Sequence, residues 1–494
     1  MNITWVDWIS ISPALAVIGA AFLVVLVDML LPKDASKAPL EIVSYTGIGA
    51  ALYICFRRLG EGMPPVRGFF GSVVLDELSV YLSLAILAAT ALLVTMSGED
   101  MRRRKVHAGE FYAIVLLAAA GMILLVQSVN LIMIFLMIEI LSLCVYVLTG
   151  ITRRQPRSGE AAMKYFVTGA FASGFLLYGM AFLYGATGSV QLAEIAVRLR
   201  EATPMALLGM GLLLVGFAFK VGAVPFHMWV PDVYEGAPTP VTAFMSVAVK
   251  AAAFGALVRV CVAGLPAQSA QWGGMVWGLA AATMIVGNLM AVPQRSVKRM
   301  LAYSSIAHAG YVLLGLAALK TSHAAAGAAI FYLFVYTFMT FGAFATLAYL
   351  GREVSFPGAR APEWHDAEDL FDFAGVARRK PWTAAAMTLF LLSLAGIPPT
   401  AGFAGKFMLF RAAIQEGHYV LALIGILMSI VSVYYYLRVV VYMYMKDPLE
   451  EPSQKGDMAV GAAVATAAFL TILLGLMPGT MHELSLRAME HVGR

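Results

Sequence analysis

Charge is what this sequence has least of. Only 13% of its 494 residues are Asp, Glu, Lys or Arg, against about 25% in an average soluble domain. Hydrophobic residues make up 61%, and mean hydropathy is +0.81. That composition cannot cover a water-facing surface, which excludes a soluble enzyme. Cysteine is nearly missing: Cys55, Cys144 and Cys261 lie singly inside apolar segments. Without C-x-x-C spacing they cannot ligate an iron–sulfur cluster or a structural zinc in the usual way. No G-x-x-x-x-G-K-[ST] loop occurs, since Gly405-Lys406 is followed by Phe407, and there is no Rossmann fingerprint. Histidine pairs at haem- or metal-ligand spacing are missing too. No basic run is interleaved with aromatics, so nucleic-acid binding is excluded. Energy for any transport has to come from an ion gradient or a partner.

Long apolar runs are what the chain has instead. They recur at about 11–31, 40–57, 75–97, 111–129, 130–150, 163–186, 205–222, 240–263, 271–292, 300–319, 325–350, 383–412, 418–445 and 458–477. A bilayer core about 30 Å thick takes roughly 20 apolar residues per helix, so the expectation is an all-α polytopic membrane protein of about fourteen helices. The first run lacks a basic flank and reads as a span rather than a cleaved signal. Two runs are interrupted. After Lys220 the seventh continues into GAVPFHMWVPDVYEGAPTP, and the twelfth contains AGIPPTAGFAG around Pro398 and Pro399. Proline removes a backbone donor and clashes with the preceding turn, and paired broken helices point to an inverted repeat lining a transport path. The expected organisation is a three-helix segment (1–110), two inverted five-helix units (helices 4–8 in 111–263 and helices 9–13 in 271–445) and a C-terminal helix (446–494). Both breaks are expected to face the protein interior.

Orientation follows from loop Lys and Arg. With the N-terminus outside, the inner loops hold 19 basic residues, including Arg102 to Lys105, Arg295, Lys298 and Arg299, and the outer side holds 8. Both termini are therefore expected outside.

Most charges are read as lying at loops or helix ends, where they are solvated or snorkel; four are read as exceptions within apolar runs: Glu139, Lys220, Lys250 and Lys406. At a helix centre such residues cost about 2.5–3.5 kcal/mol on insertion scales. They are either buried ion pairs that fix packing or groups whose protonation switches within the membrane. Burial and a neighbouring carboxylate act oppositely on a lysine's hold on its proton, so a Glu–Lys pair of changing separation can load and release one. His227 and His308 are candidates for a relay, against the alternative of core histidines satisfied by hydrogen bonds. Lys164 is either a snorkelling interface residue, the favoured reading, or a proton-uptake residue. Asp232 and Glu235 read as braces of the proline-rich loop, and Tyr434, Tyr435, Tyr436 and Arg438 as an interface belt.

FKVGAVPFHMWVPDVYEGAPTPVTAFMSVAVKAA resembles the signature of the antiporter-like proton-translocating subunits of respiratory complex I, and RSVKRMLAYSSIAHAGYVLLG and KYFVTGAFASGFLLYG resemble the subunit N branch of that NADH–quinone oxidoreductase family. The resemblance runs from about the third helix to the fourteenth. It implies a coupling pair of Glu139 and Lys220, a central Lys250, and Lys406 toward the outer exit or the next subunit. His227 and His308 match histidines of the central polar axis. It also implies proton translocation across a bacterial inner membrane, driven by quinone reduction elsewhere. No cofactor is expected in this chain; flavin, iron–sulfur clusters and quinone belong to partner subunits. The implied partners are membrane-arm subunits, including the antiporter-like subunit M and small membrane subunits, together with lipids. The alternative is a subunit of a Na⁺/H⁺ antiporter complex or a membrane-bound hydrogenase.

Overall fold

A computed structural model describes residues 3–32, 35–153, 155–319, 323–354, 363–448, 457–490 and 492. Among them, thirteen helices are long and apolar enough to cross a membrane. The twelfth run supplies one more crossing in two pieces, Pro381–Ala395 and Ala401–Gln415. The protein is an all-α polytopic membrane protein. Lys33, Arg154, Lys320, Arg360, Lys455 and Arg494, all part of the loop charge asymmetry, lie outside the described residues.

Sequence chemistry sets the helix ends. Prolines open many spans, as in Pro156–Thr187, Pro204–Val221 and Pro381–Ala395, where the missing N–H would be unsatisfied anyway. Elsewhere a side chain caps the first turn: Asp76 accepts from the Ser79 amide, Asn130 from Ile132 and Met133, and Ser296 from Arg299.

The helices sort by burial. Those of the eighth (Thr239–Gly264), tenth (Val297–Ala317) and eleventh (Ala324–Tyr349) spans are wholly enclosed. In the first, second, sixth, thirteenth and fourteenth only about a third of the apolar stretch is buried within the chain. Lipid supplies no hydrophobic drive between helices, so close approach through small residues matters. Gly179 and Gly209 bring the sixth and seventh spans together, and a Cβ on Gly179 would lie 2.5 Å from the Leu213 nitrogen. Gly287 and Gly310 do the same for the ninth (Pro266–Ala291) and tenth. The eighth span contains two π-helical stretches, Met245–Val249 and Val260–Gly264. An antiparallel hairpin, Val66–Gly68 with Val73–Leu75, lies between the second (Ala38–Gly60) and third (Glu77–Arg103) spans. A short helix, Gly479–Glu490, follows the last span, Met458–Leu476.

The two breaks share a local design. The seventh span ends on Gly222 (φ 74°) and the first half of the twelfth on Gly396 (φ 86°). Both are left-handed caps whose amides return to the preceding turn. Contrary to the expectation of interior-facing breaks, Pro225, Met228, Pro398 and Pro399 are exposed on the surface of the chain. The reason is local: proline has no N–H to satisfy, while the freed carbonyls turn inward. Trp229 Nε1 donates to the Phe219 carbonyl (3.1 Å), and Lys406 Nζ donates to those of Leu394 and Ala395 (2.9 and 3.2 Å).

Candidate functional site

Besides Lys298 at the start of the tenth span, three lysines are buried: Lys220 (3% exposed), Lys250 (3%) and Lys406 (4%). Among the described residues none of these three forms an ion pair with a carboxylate. Lys250 donates to the carbonyl and, at 2.5 Å, the hydroxyl of Ser305 on the tenth span, and faces the Tyr336 ring at 5.9 Å. Lys406 reaches the two freed carbonyls and Ser429 Oγ (3.1 Å), with the Tyr311 ring 4.7 Å away. Lys220 donates to Ser142 Oγ (2.5 Å), with Tyr146 Oη at 3.5 Å.

His308 links the central lysines. It is 2% exposed and is hydrogen-bonded at Nδ1 to Tyr332 Oη (2.5 Å) and at Nε2 to Tyr436 Oη (3.2 Å). A neutral imidazole donates at one nitrogen and accepts at the other, so one tyrosine gives a proton where the other receives one. Tyr436 also bonds Ser304, one residue before the Ser305 that holds Lys250. On the far side, Ser429 donates to Tyr311 Oη (3.2 Å), Asn288 Nδ2 lies 3.4 Å from the same oxygen, and Tyr435 donates to Asn288 Oδ1 (3.0 Å). Ring contacts join the two groups, His308 to Tyr311 at 5.5 Å and Tyr435 to Tyr436 at 4.5 Å. Lys250, His308 and Lys406 therefore share one buried polar axis.

Glu139 and Lys220 stand apart from that axis and do not touch each other in this state. Glu139 is half-buried on the fifth span (Leu131–Thr149) and accepts from Ser173 on the sixth. Ser142, one turn further along, holds Lys220 while donating to the Ile138 carbonyl. The expected direct pair is thus a Glu139–Ser142–Lys220 neighbourhood in which only serine contacts the lysine. His227 lies half-buried in the turn after the seventh span, with no hydrogen bond to any of the three lysines or to His308. Lys164 is on the surface, paired with Glu160 and Asp232 (2.8 Å each). Asp232 and Glu235 also hold Arg299 (2.8 Å each), as braces would.

Two readings of the sequence need correction. Tyr435 and Tyr436 are fully buried members of the axis, and only Tyr434 (59% exposed) has the surface position of a belt residue. Consecutive helical residues point about 100° apart, so three adjacent tyrosines cannot share one face. Arg438 reaches the carbonyls of Val292 and Gln294. Secondly, two residues counted among the loop charges, Arg104 and Lys298, are buried in ion pairs. Arg104 bridges Asp100 and Asp366 (2.8 Å each), and Lys298 holds Glu368 (2.9 Å) and the Ala237 carbonyl (2.8 Å). Arg259, inside the eighth apolar run, pairs with Asp76 through two 2.8 Å bonds. An arginine within residues 240–263 was the signal for it.

The family described as NADH:quinone oxidoreductase/Mrp antiporter, TM, matches residues 128–432, the stretch that holds every residue of the axis except Tyr435 and Tyr436. The chain belongs to this family. It is 45% identical to NADH-quinone oxidoreductase subunit N of Trichlorobacter lovleyi, covering 96% of this chain and 95% of that one. It is 42% identical to the subunit N of Myxococcus xanthus, with 97% and 96% covered. Among solved structures it is similar to a chain of respiratory complex I from Thermus thermophilus with bound aureothin, at 36% identity and TM-score 0.79, covering 95% of this chain and 98% of that chain. It shares its fold with a chain of the Mrp complex from Dietzia, at 22% identity and TM-score 0.85, with 99% and 98% covered.

Proposed function

We propose that this chain is the N-type membrane-arm subunit of a proton-translocating NADH:quinone oxidoreductase, and that Lys250, His308 and Lys406 carry protons along the buried axis. The observation that carries the reading is the set of interior lysines held only by hydroxyls and carbonyls. An ammonium so held can release its proton and stay hydrogen-bonded as an amine. One locked to a carboxylate is fixed in its charged state by the partner. Serine, tyrosine and histidine supply groups that both donate and accept along the way, as a relay needs. Full-length similarity to N subunits favours this reading over a Na⁺/H⁺ antiporter or hydrogenase subunit.

The same reading assigns Glu139 and Lys220 to coupling with the driving reaction, through motion that exchanges the Ser142 contact for a direct one. His227 would join the path only in another state. Lys164 would take up protons only if released from Glu160 and Asp232. The reading leaves flavin, iron–sulfur clusters and the quinone site to other subunits of the complex, and takes the antiporter-like subunit M, small membrane subunits and lipids as this chain's neighbours. Helices 4–8 and 9–13 are assigned as inverted units, and both termini are assigned to the positive side of a bacterial inner membrane. Lys250→Ala in the assembled complex tests the core of this. Assembly should be retained, with proton pumping and coupled quinone reduction lowered by roughly tenfold or more, the factor that about 1.4 kcal/mol of barrier gives. Normal pumping by that variant would remove Lys250 from the path.

A further inference from the structure

Nine residues beyond Lys250 on the eighth span, about 13 Å along a helix, stands Arg259, 2% exposed. Its guanidinium grips both oxygens of Asp76 at 2.8 Å and the Val126 carbonyl at 3.1 and 2.9 Å. The pair lines an open cavity of about 610 Å³, bounded by the Val66–Leu75 hairpin, the short helix Leu192–Arg198 and the C-terminal end of the chain. Its other charged or titratable lining groups are Arg67, His323 and Glu490. By the loop-charge orientation this is the outer face.

Two further observations extend the polar line inward. Gln127, next to Val126, is fully buried, and neither atom of its amide has a hydrogen-bond partner. Tyr81, five residues inward of Asp76 on the third span, is also fully buried with an unpartnered hydroxyl. Buried polar atoms left without protein partners are where ordered water sits. Gly255, midway between Lys250 and Arg259, packs on Leu82 and Val126, where a Cβ would come within 2.4 and 2.9 Å. The third, fourth and eighth spans thus meet along the stretch that separates Lys250 from the cavity.

We infer that this cavity is the outward release route for the proton of Lys250, with the Asp76–Arg259 pair as its inner gate. The inference rests on the proposed role of Lys250. The ammonium of Lys250 gives one proton to water beside Tyr81 and Gln127. Asp76 accepts a proton from that water and delivers it to the cavity, returning to its carboxylate form. Arg259 keeps its charge throughout, and no bond other than those to the moving proton changes.

Asp76→Asn should lower pumping, but breaking a buried pair can also prevent assembly. The deciding experiment therefore acts on the assembled complex. Ala196 lines the cavity, and an Ala196→Cys variant is treated from the outer face with a bulky, membrane-impermeant cationic thiosulfonate. The parent chain, with Cys55 and Cys261 buried and Cys144 partly exposed, serves as control. Stoichiometric labelling should lower pumping roughly tenfold, with recovery on reduction. Complete labelling with unchanged pumping, in a complex where Lys250→Ala abolishes pumping, would overturn this route and place release on the Lys406 side. Normal pumping by Lys250→Ala would instead overturn the proposed function itself.

Discussion

Buried cations in this protein fall into two populations, and the contrast between them separates scaffold from conduit. Toward the helix ends, Arg104, Arg259 and Lys298 are each locked to a carboxylate. In the middle, Lys220, Lys250 and Lys406 touch only neutral oxygens. A carboxylate partner offsets much of the cost of burying a charge, and losing it costs about 3–5 kcal/mol. The pairs of Arg104 and Lys298 therefore hold the bundle, with Asp366 tying the loop after the eleventh span to Arg104 and to Thr239 of the eighth, whereas the Asp76–Arg259 pair also lines the outer cavity and serves there as the gate. The central lysines have no such partner, so their charge state is free to follow events around them.

The largest effect should come from breaking an end pair. Arg104→Met strands Asp100 and Asp366 without their shared guanidinium and should cost about 3–5 kcal/mol, seen as loss of assembled complex or a lowered Tm. Lys250→Met, which removes a cation with no carboxylate partner, should leave assembly near normal while pumping falls. If both variants assemble equally well, the distinction between scaffold and conduit is wrong.

The coupling residues sharpen the comparison, since Lys220 belongs to the second class while the carboxylate of Glu139 stands one turn from the serine that holds it. Glu139→Gln and Lys220→Ala should each reduce turnover, and the double variant should lose less than the sum of the two. The expected interaction energy is about 0.5–3 kcal/mol, typical of residues in one network. Strict additivity, with both singles assembled, would mean that the Ser142 contact seen here never gives way to a direct one. A smaller effect is expected from the relay hydroxyls. Tyr436→Phe removes bonds to His308 and Ser304 and should cost about 1 kcal/mol in stability, with a larger fractional loss of pumping than of assembly.

Most of the fold is legible in the sequence because lipid leaves so few options. Helices must satisfy their own backbone, so run lengths give the spans, and Gly222–Pro225 with Gly396–Pro399 mark the breaks. The lysines and His308 are legible because charge is conspicuous in an apolar run. What escaped reading depends on helix phase and tertiary approach. Tyr435 and Tyr436 differ from Tyr434 only by rotation about the thirteenth span (Tyr419–Met445). Asp76 and Arg259 lie 183 residues apart and are brought together by packing of the third and eighth spans. The resemblance implies Glu139 and Lys220 as a pair, whereas in this structure a serine one turn from the glutamate holds the lysine.

The most direct test of the central claim replaces Lys250 with arginine. Guanidinium keeps its proton at any accessible pH, so Lys250→Arg preserves charge while removing the ability to release it. Measured in proteoliposomes containing the intact complex, proton pumping per NADH oxidised should fall as it does for Lys250→Ala. Wild-type pumping by Lys250→Arg would contradict the account, because deprotonation of this residue would then be no part of the path.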